Sequence, residues 1–251
     1  MAKKTKKKTV VKSAKKTVSK SNKCQRKTFE RIASGIPGLD SLIGGGFVKN
    51  DVYLITGGTG TGKTMFCSQF LWEGLQKGEN GIFFSLEQLP EDILDNAEVF
   101  GWDFRKYIKQ GSFKIDYQDP FEMVDIISAT KAKAKEINAK RVVIDSTSLF
   151  GMVFKSEHEL RKKLYEVIKH FKSMNAVVLI TSEILEDFKS LSRFGVEEFV
   201  VDGVILLHYL DFGAGASSNR SLIVRKMRKT KHGTDIYPLD ITNDGLKVLK
   251  G

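Results

Sequence analysis

The chain has 251 residues, a formal net charge of +11, two cysteines and 41% hydrophobic residues, which suits one large α/β domain with a substantial core. No apolar run approaches the ~18 residues that span a bilayer, and no apolar segment near the N-terminus reads as a secretory signal. Cys24 and Cys67 lie too far apart for metal spacing, and His158, His170, His208 and His232 show no short ligand pairing, which argues against zinc and a disulfide framework and for a reducing cytoplasm.

The basic charge is localised. Residues 1–27 hold eleven lysines and Arg26 with no acidic residue, so this segment carries +12 and residues 28–251 carry −1. With Val10, Val11 and Val18 as its main large apolar residues, the tail cannot bury enough surface to offset ordering. It is expected to be a disordered Lys-rich segment ahead of one folded domain over 28–251. Its charge suits polyanions (DNA, RNA or an anionic membrane surface) or simple solubilisation.

Asp51–Thr56 reads as a buried strand. Gly57–Thr64 then reads Gly-Gly-Thr-Gly-Thr-Gly-Lys-Thr, a full G-x-x-x-x-G-K-[ST] phosphate loop. Its glycines let successive N–H groups cradle an anion, and a helix predicted over 65–77 adds its positive N-terminal end. Gly58, Thr59, Gly60, Thr61, Gly62, Lys63, Thr64 and Met65 are therefore the nucleotide-binding candidates. Lys63 is a cation for the outer phosphates, and the Thr64 hydroxyl is a Mg²⁺ ligand.

Further along, 81–86 is a predicted strand, and Pro90 opens a helix to about residue 100. Strand 113–117, helix 121–137, strand 141–145, helix 157–174 and strand 176–181 follow. Four consecutive strands, 202–209, 220–227, 236–241 and 246–249, with short turns complete the chain. The expected fold is a mostly parallel sheet with helices on both faces and a C-terminal antiparallel extension. No internal repeat is visible.

Two strand ends carry candidate chemistry. Arg141-Val-Val-Ile-Asp145 presents a carboxylate at the sheet edge that can hold Mg²⁺ directly or through water. Glu87, at the end of the second strand, is the candidate general base for an attacking water. Gln88 beside it can hydrogen-bond that water but cannot take its proton. Thr181 and Ser182 end the fifth strand and are candidate polar γ-phosphate sensors.

Together these residues resemble the KaiC-like branch of the RecA superfamily over nearly all of residues 29–250, which implies a RecA-like P-loop NTPase fold. Gly35-Ile-Pro-Gly-Leu-Asp40 with Gly44-Gly-Gly-Phe47 resembles that family's lead-in to the phosphate loop. Ser85-Leu-Glu87-Gln-Leu-Pro90 with Phe100-Gly-Trp-Asp103 resembles its catalytic-Glu region, and Gly195–Asp202 its segment before the sixth strand. Arg225-Lys226-Met-Arg228 with His232 resembles its late basic motif. The resemblance implies a Mg²⁺-dependent ATPase, with ATP held between the subunits of a homohexameric ring. Lys226 and Arg228 then act as catalytic cations at the neighbour's γ-phosphate, and His232 joins the nucleotide-binding set.

Three departures stand out. The family usually has two adjacent acids where this chain has Glu87-Gln88, which implies slow or regulated hydrolysis. Glu198-Phe199 stands where two-domain clock members carry their phosphorylated Ser-Thr, so self-phosphorylation there is not expected. Lys229 replaces a glycine common after the basic motif. Two functions remain open from the residues: an ATPase in a regulatory or DNA-associated role, and a recombination or repair accessory that binds DNA and uses ATP as a conformational switch. Residues 183–201 hold more acidic than basic side chains, which leaves DNA contact to the tail. A small-molecule kinase is disfavoured by the lack of a lid-like arginine cluster.

Overall fold

The computed structural model describes residues 27–118, 126–147, 156–184, 191–209 and 220–249. The predicted tail falls outside the described residues except for Lys27. A small ribbon, β1 (Arg31–Ile32) with β2 (Phe47–Val48), brackets the short helix α1 (Leu39–Leu42). The main elements are β3 (Val52–Gly57), α2 (Lys63–Gln76), β4 (Gly81–Ser85), α3 (Pro90–Glu98), α4 (Phe104–Lys109), β5 (Phe113–Tyr117), α5 (Ile126–Glu136) and β6 (Arg141–Asp145). They continue with α6 (Glu157–Phe171), β7 (Val177–Glu183), α7 (Glu197–Val200), β8 (Gly203–Tyr209), β9 (Arg220–Met227), β10 (Ile236–Thr242) and β11 (Gly245–Val248).

Nine strands form one sheet in the order β11-β10-β9-β8-β3-β7-β6-β4-β5. The six from β8 to β5 run parallel to one another, and β9, β10 and β11 extend the sheet antiparallel. The expected architecture is therefore present, with one adjustment. The strand at 203–209 belongs to the parallel part, because it pairs with the phosphate-loop strand from Tyr53↔Gly203 to Gly57↔Leu207; the extension begins only at β9.

Side-chain alternation splits the core into two layers. Tyr53 and Ile55 pack with Phe66 and Phe70 of α2, Ile93 of α3 and Phe104 of α4 on one face. Val52 and Leu54 pack with Ala134 of α5 and with Leu164 and Phe171 of α6 on the other. Helix α4 was not predicted, although Asp103 caps it by accepting the Lys106 N–H at 3.0 Å. No helix among the described residues is long and apolar enough to cross a membrane.

Helix α2 is fixed at both flanks, which matters because it carries the phosphate loop. Gln69 donates to the Gly35 carbonyl (2.8 Å) and the Leu246 carbonyl (3.0 Å), and accepts the Leu246 N–H (2.7 Å). One buried amide thus joins the lead-in segment, the helix and the last strand. On the far side, Arg141 is fully buried and donates to the carbonyls of Ala33 (2.8 Å) and Phe70 (2.7 Å) while pairing with Glu79.

Candidate functional site

The ends of β3, β4, β6 and β7 meet at one edge of the sheet, above which lies a cleft of about 420 Å³. Parallel strands make this edge, their carboxyl end, the natural place for a ligand. The loop Gly57–Gly62 wraps from β3 into α2. It approaches β8 so closely that a Cβ on Gly57 would lie 2.2 Å from the Leu207 carbonyl oxygen. Gly62, at the N-cap of α2, has φ of 100°, a conformation that favours glycine.

Thr59, Gly60, Gly62, Lys63, Thr64 and Met65 line the cleft; Thr61 is buried, and its hydroxyl donates to the Gly58 carbonyl at 2.9 Å. Lys63 Nζ donates to the carbonyls of Gly57 (3.0 Å) and Gly58 (2.9 Å). Burial pushes the Lys63 amine below its ordinary pKa, while Glu183, Asp145 and Glu87 oppose that shift. The lysine is held over the loop, facing three carboxylates.

Asp145 sits where β6 ends. The Thr64 hydroxyl donates to Asp145 Oδ2 at 2.7 Å, and the Thr181 hydroxyl donates to Oδ1. Burial raises the Asp145 carboxyl above the usual range, and the two hydroxyl bonds and Lys63 pull against it. A buried carboxylate beside a hydroxyl is a hard oxygen pair that a cation would relieve. With Thr64 and phosphate oxygens it fits Mg²⁺, which takes few protein ligands and keeps several waters.

Glu87 reaches the same cleft from the turn after β4. That turn is pinned by the Leu86 N–H to the Asp145 carbonyl (2.7 Å) and by the Gln88 N–H to Ser85 Oγ (3.1 Å). The Ser146 hydroxyl donates to Glu87 Oε1. Desolvation raises the Glu87 carboxyl; the Ser146 bond opposes this, and Asp145 and Glu183 add to it. Gln88 lines the cleft, and its Oε1 is buried with no hydrogen-bond partner among the described residues. The opposite wall is apolar, formed by Ile93, Ala97, Phe100 and Trp102 with Asn96 among them.

Other predicted residues lie elsewhere. Thr181 and Ser182 are buried and turned inward: Thr181 supports Asp145, and Ser182 donates to Glu197 (3.1 Å) and accepts the Arg193 N–H (3.0 Å). Neither faces the cleft, so neither is a phosphate sensor in this arrangement. Lys226 and Arg228 lie at the opposite end of the sheet, because β9 runs antiparallel and Met227 pairs with Gly203 at the start of β8. Three to four residues of strand, ~10–13 Å, separate that edge from the phosphate loop.

Lys226 Nζ donates to the carbonyls of Glu198 (2.8 Å) and Val201 (2.7 Å), closing the end of α7, and Arg228 approaches Asp202 at 3.5 Å. Burial, with Arg228 adding, pushes the Lys226 amine down. His232 is also outside the cleft, with Nδ1 at 2.8 Å from the Gly233 carbonyl. Glu183 was missed: its Cα pairs with Gly57 and it lines the cleft. The signal was the unbroken run from Thr181 into Ser182 and Glu183, which extends the strand beyond its predicted end.

A family model described as "ATPase: KaiC" matches residues 32–251. A UPF0273 protein of Methanopyrus kandleri is 34% identical over 236 residues, covering 87% of this chain and 92% of that protein. One from Pyrococcus furiosus is 36% identical over 242 residues, covering 88% and 96%. The circadian clock oscillator protein KaiC of Synechococcus elongatus is 32% identical over 241 residues; the match takes in 92% of this chain but 46% of KaiC, so the chain spans about half of that relative. The crystal structure of a KaiC-like protein from Pyrococcus horikoshii matches with a TM-score of 0.80 at 37% identity, covering 89% of this chain and all of that one.

Proposed function

The chain belongs to the KaiC family of ATPases, and from that premise we propose that it binds Mg²⁺·ATP in the Lys63 cleft and hydrolyses the γ-phosphate. The convergence of Lys63, Thr64, Asp145 and Glu87 on one cleft carries this reading. Lys63 exchanges its loop carbonyls for phosphate oxygens, and the loop N–H groups with the start of α2 hold the anion. Thr64 and Asp145 would hold Mg²⁺, which neutralises charge on the phosphates. The apolar wall at Phe100 and Trp102 suits the purine ring, with Asn96 as a polar partner.

Hydrolysis forms a bond from water oxygen to the γ-phosphorus and breaks the bond to the leaving ADP oxygen. Glu87 takes the water proton; its raised carboxyl makes it a better proton acceptor than an ordinary glutamate. Gln88 Oε1 offers an acceptor that holds the water without competing for the proton. Completion of the site falls to a neighbouring subunit in a ring, hexameric by family expectation, which brings Lys226 and Arg228 to the γ-phosphate from outside and adds His232 to the nucleotide-binding set. The distance of these residues from their own chain's cleft supports that reading. The role is regulatory, or DNA-associated through the basic tail. Phosphate release by purified protein, measured with MgATP alone and with single-stranded DNA added, tests both parts. No hydrolysis by wild type, or equal hydrolysis by Lys63→Ala, overturns the ATPase reading; no effect of DNA removes the DNA-associated one.

A further inference from the structure

Tyr209 grips the phosphate loop from behind. It ends β8, two residues past Leu207, the residue that backs Gly57, so alternation puts both on one face. Its hydroxyl donates to the Gly60 carbonyl at 2.7 Å, and Tyr209 is not among the residues lining the cleft. Across the β8–β9 ladder its partner is Arg220. The Arg220 guanidinium donates to the Tyr209 hydroxyl at 2.9 Å and stacks over the ring at 5.0 Å. Arg220, Tyr209 and Gly60 thus form a donor chain in which a cation polarises the phenol and strengthens its bond to the loop.

We propose that Tyr209, backed by Arg220, is a positioning residue that sets the loop's affinity for phosphate by fixing the orientation of the Gly60–Thr61 peptide. That peptide is trans. In a planar trans peptide the N–H points away from the C=O, so a carbonyl held outward by Tyr209 turns the Thr61 N–H to the inner side of the loop. The neighbouring carbonyls are already held, Gly57 and Gly58 by Lys63 and Gly58 also by Thr61. Gly60 has φ of 74° and no Cβ to restrain it, so Tyr209 supplies the restraint that its own geometry lacks. Tyr209 is 38% exposed; without it water can satisfy the Gly60 carbonyl, and the loss falls on preorganisation rather than on folding.

The inference rests on the ATP reading and is tested by calorimetric titration of MgATP, MgADP and adenosine, together with steady-state hydrolysis. Tyr209→Phe is expected to weaken both nucleotides ~3- to 10-fold, the worth of one hydrogen bond. Adenosine binding and the nucleotide-free melting temperature should not change. KM rises and kcat stays, because the contact is equal in ground and transition states. Arg220→Leu has a smaller effect of the same kind. The double variant is no weaker than Tyr209→Phe, because Arg220 acts through the phenol. Nucleotide affinity unchanged in Tyr209→Phe overturns the proposal. A fall in kcat overturns it too, because the contact would then act in the transition state rather than equally in both states. Additive losses in the double variant overturn it by making Arg220 act on the nucleotide independently of the phenol. Wild type that binds no MgATP overturns the ATP reading instead, so the two failures are distinct.

Discussion

The Thr64 hydroxyl donates to Asp145 Oδ2 across 2.7 Å, joining the first turn of α2 to the end of β6 over 81 residues of sequence. The bond aligns the two oxygens that suit a cation, and it does so around a carboxylate whose pKa burial has raised. Burial makes an ionised Asp145 electrostatically costly to the fold, and under the proposed function a bound cation would offset that cost.

Asp145→Asn separates those two states. The nucleotide-free variant should melt no lower than wild type, since it removes a desolvated carboxylate and keeps an acceptor for Thr64 or Thr181. A raised folded pKa means that the native state holds the proton more tightly than the unfolded chain. The stabilising contribution is therefore present at low pH and is lost as pH rises through the raised value. The melting-temperature difference, wild type minus variant, should fall as pH rises from the ordinary Asp value of 3.8 through that window. With MgATP the order reverses: wild type gains stability, the variant gains little, and turnover drops ~10²–10³-fold. Equal MgATP stabilisation of both, by scanning calorimetry, would remove Asp145 from the metal site.

Glu87→Gln is expected to leave MgATP affinity near wild type while cutting kcat ~10²–10⁴-fold. Because desolvation raises the Glu87 carboxyl, and the base works only when deprotonated, wild-type kcat should fall on acidification at a pH above the ordinary glutamate value of 4.5. Rate profiles over the acid range check this. A profile without that limb, or normal turnover by the variant, means that another group takes the proton.

The sequence made the phosphate loop, Asp145 and Glu87 legible because each is a local pattern: glycines around a lysine, or a carboxylate closing an apolar strand. What it hid depends on pairing between distant segments. The parallel alignment of β8 follows from its register with β3, which no local pattern records. Glu183 enters the site because Gly57 lies beside it, and Thr181 leaves the cleft because Asp145 takes its hydroxyl. Lys226 and Arg228 were recognised by resemblance, but their position at the far sheet edge follows from the antiparallel return of β9. Tyr209 carried no motif; only the fold puts its hydroxyl against Gly60.

That far edge gives a test of shared sites. Arg228→Ala and Glu87→Gln chains, each inactive alone, should regain partial activity when mixed, because some interfaces then combine wild-type Glu87 from one chain with wild-type Arg228 from the next. Lys226→Ala should behave as Arg228→Ala does, with an added loss of stability because its amine closes the end of α7. Phosphate release across mixing ratios, alongside light scattering with and without MgATP, provides the check. A fully active monomer, or no recovery at any ratio, would assign Lys226 and Arg228 to support of α7 and Asp202 alone.

The tail carries the last prediction. Residues 1–27 hold +12 without an acidic residue, while residues 28–251 hold −1, so non-specific polyanion binding should reside in the tail. If it engages ~6 phosphates, counterion release gives a slope near −5 in log K against log salt, a loss of ~10³ in affinity between about 50 and 200 mM. No base-reading element accompanies the lysines, so binding should be indifferent to sequence. Deleting 1–27 should abolish it and leave basal ATP turnover unchanged, since every residue lining the cleft lies beyond that segment. Fluorescence anisotropy with labelled DNA, run for both chains across a salt series, reads the difference directly. Equal affinity and equal slope would make the tail a solubilising segment and move any DNA contact to the folded domain.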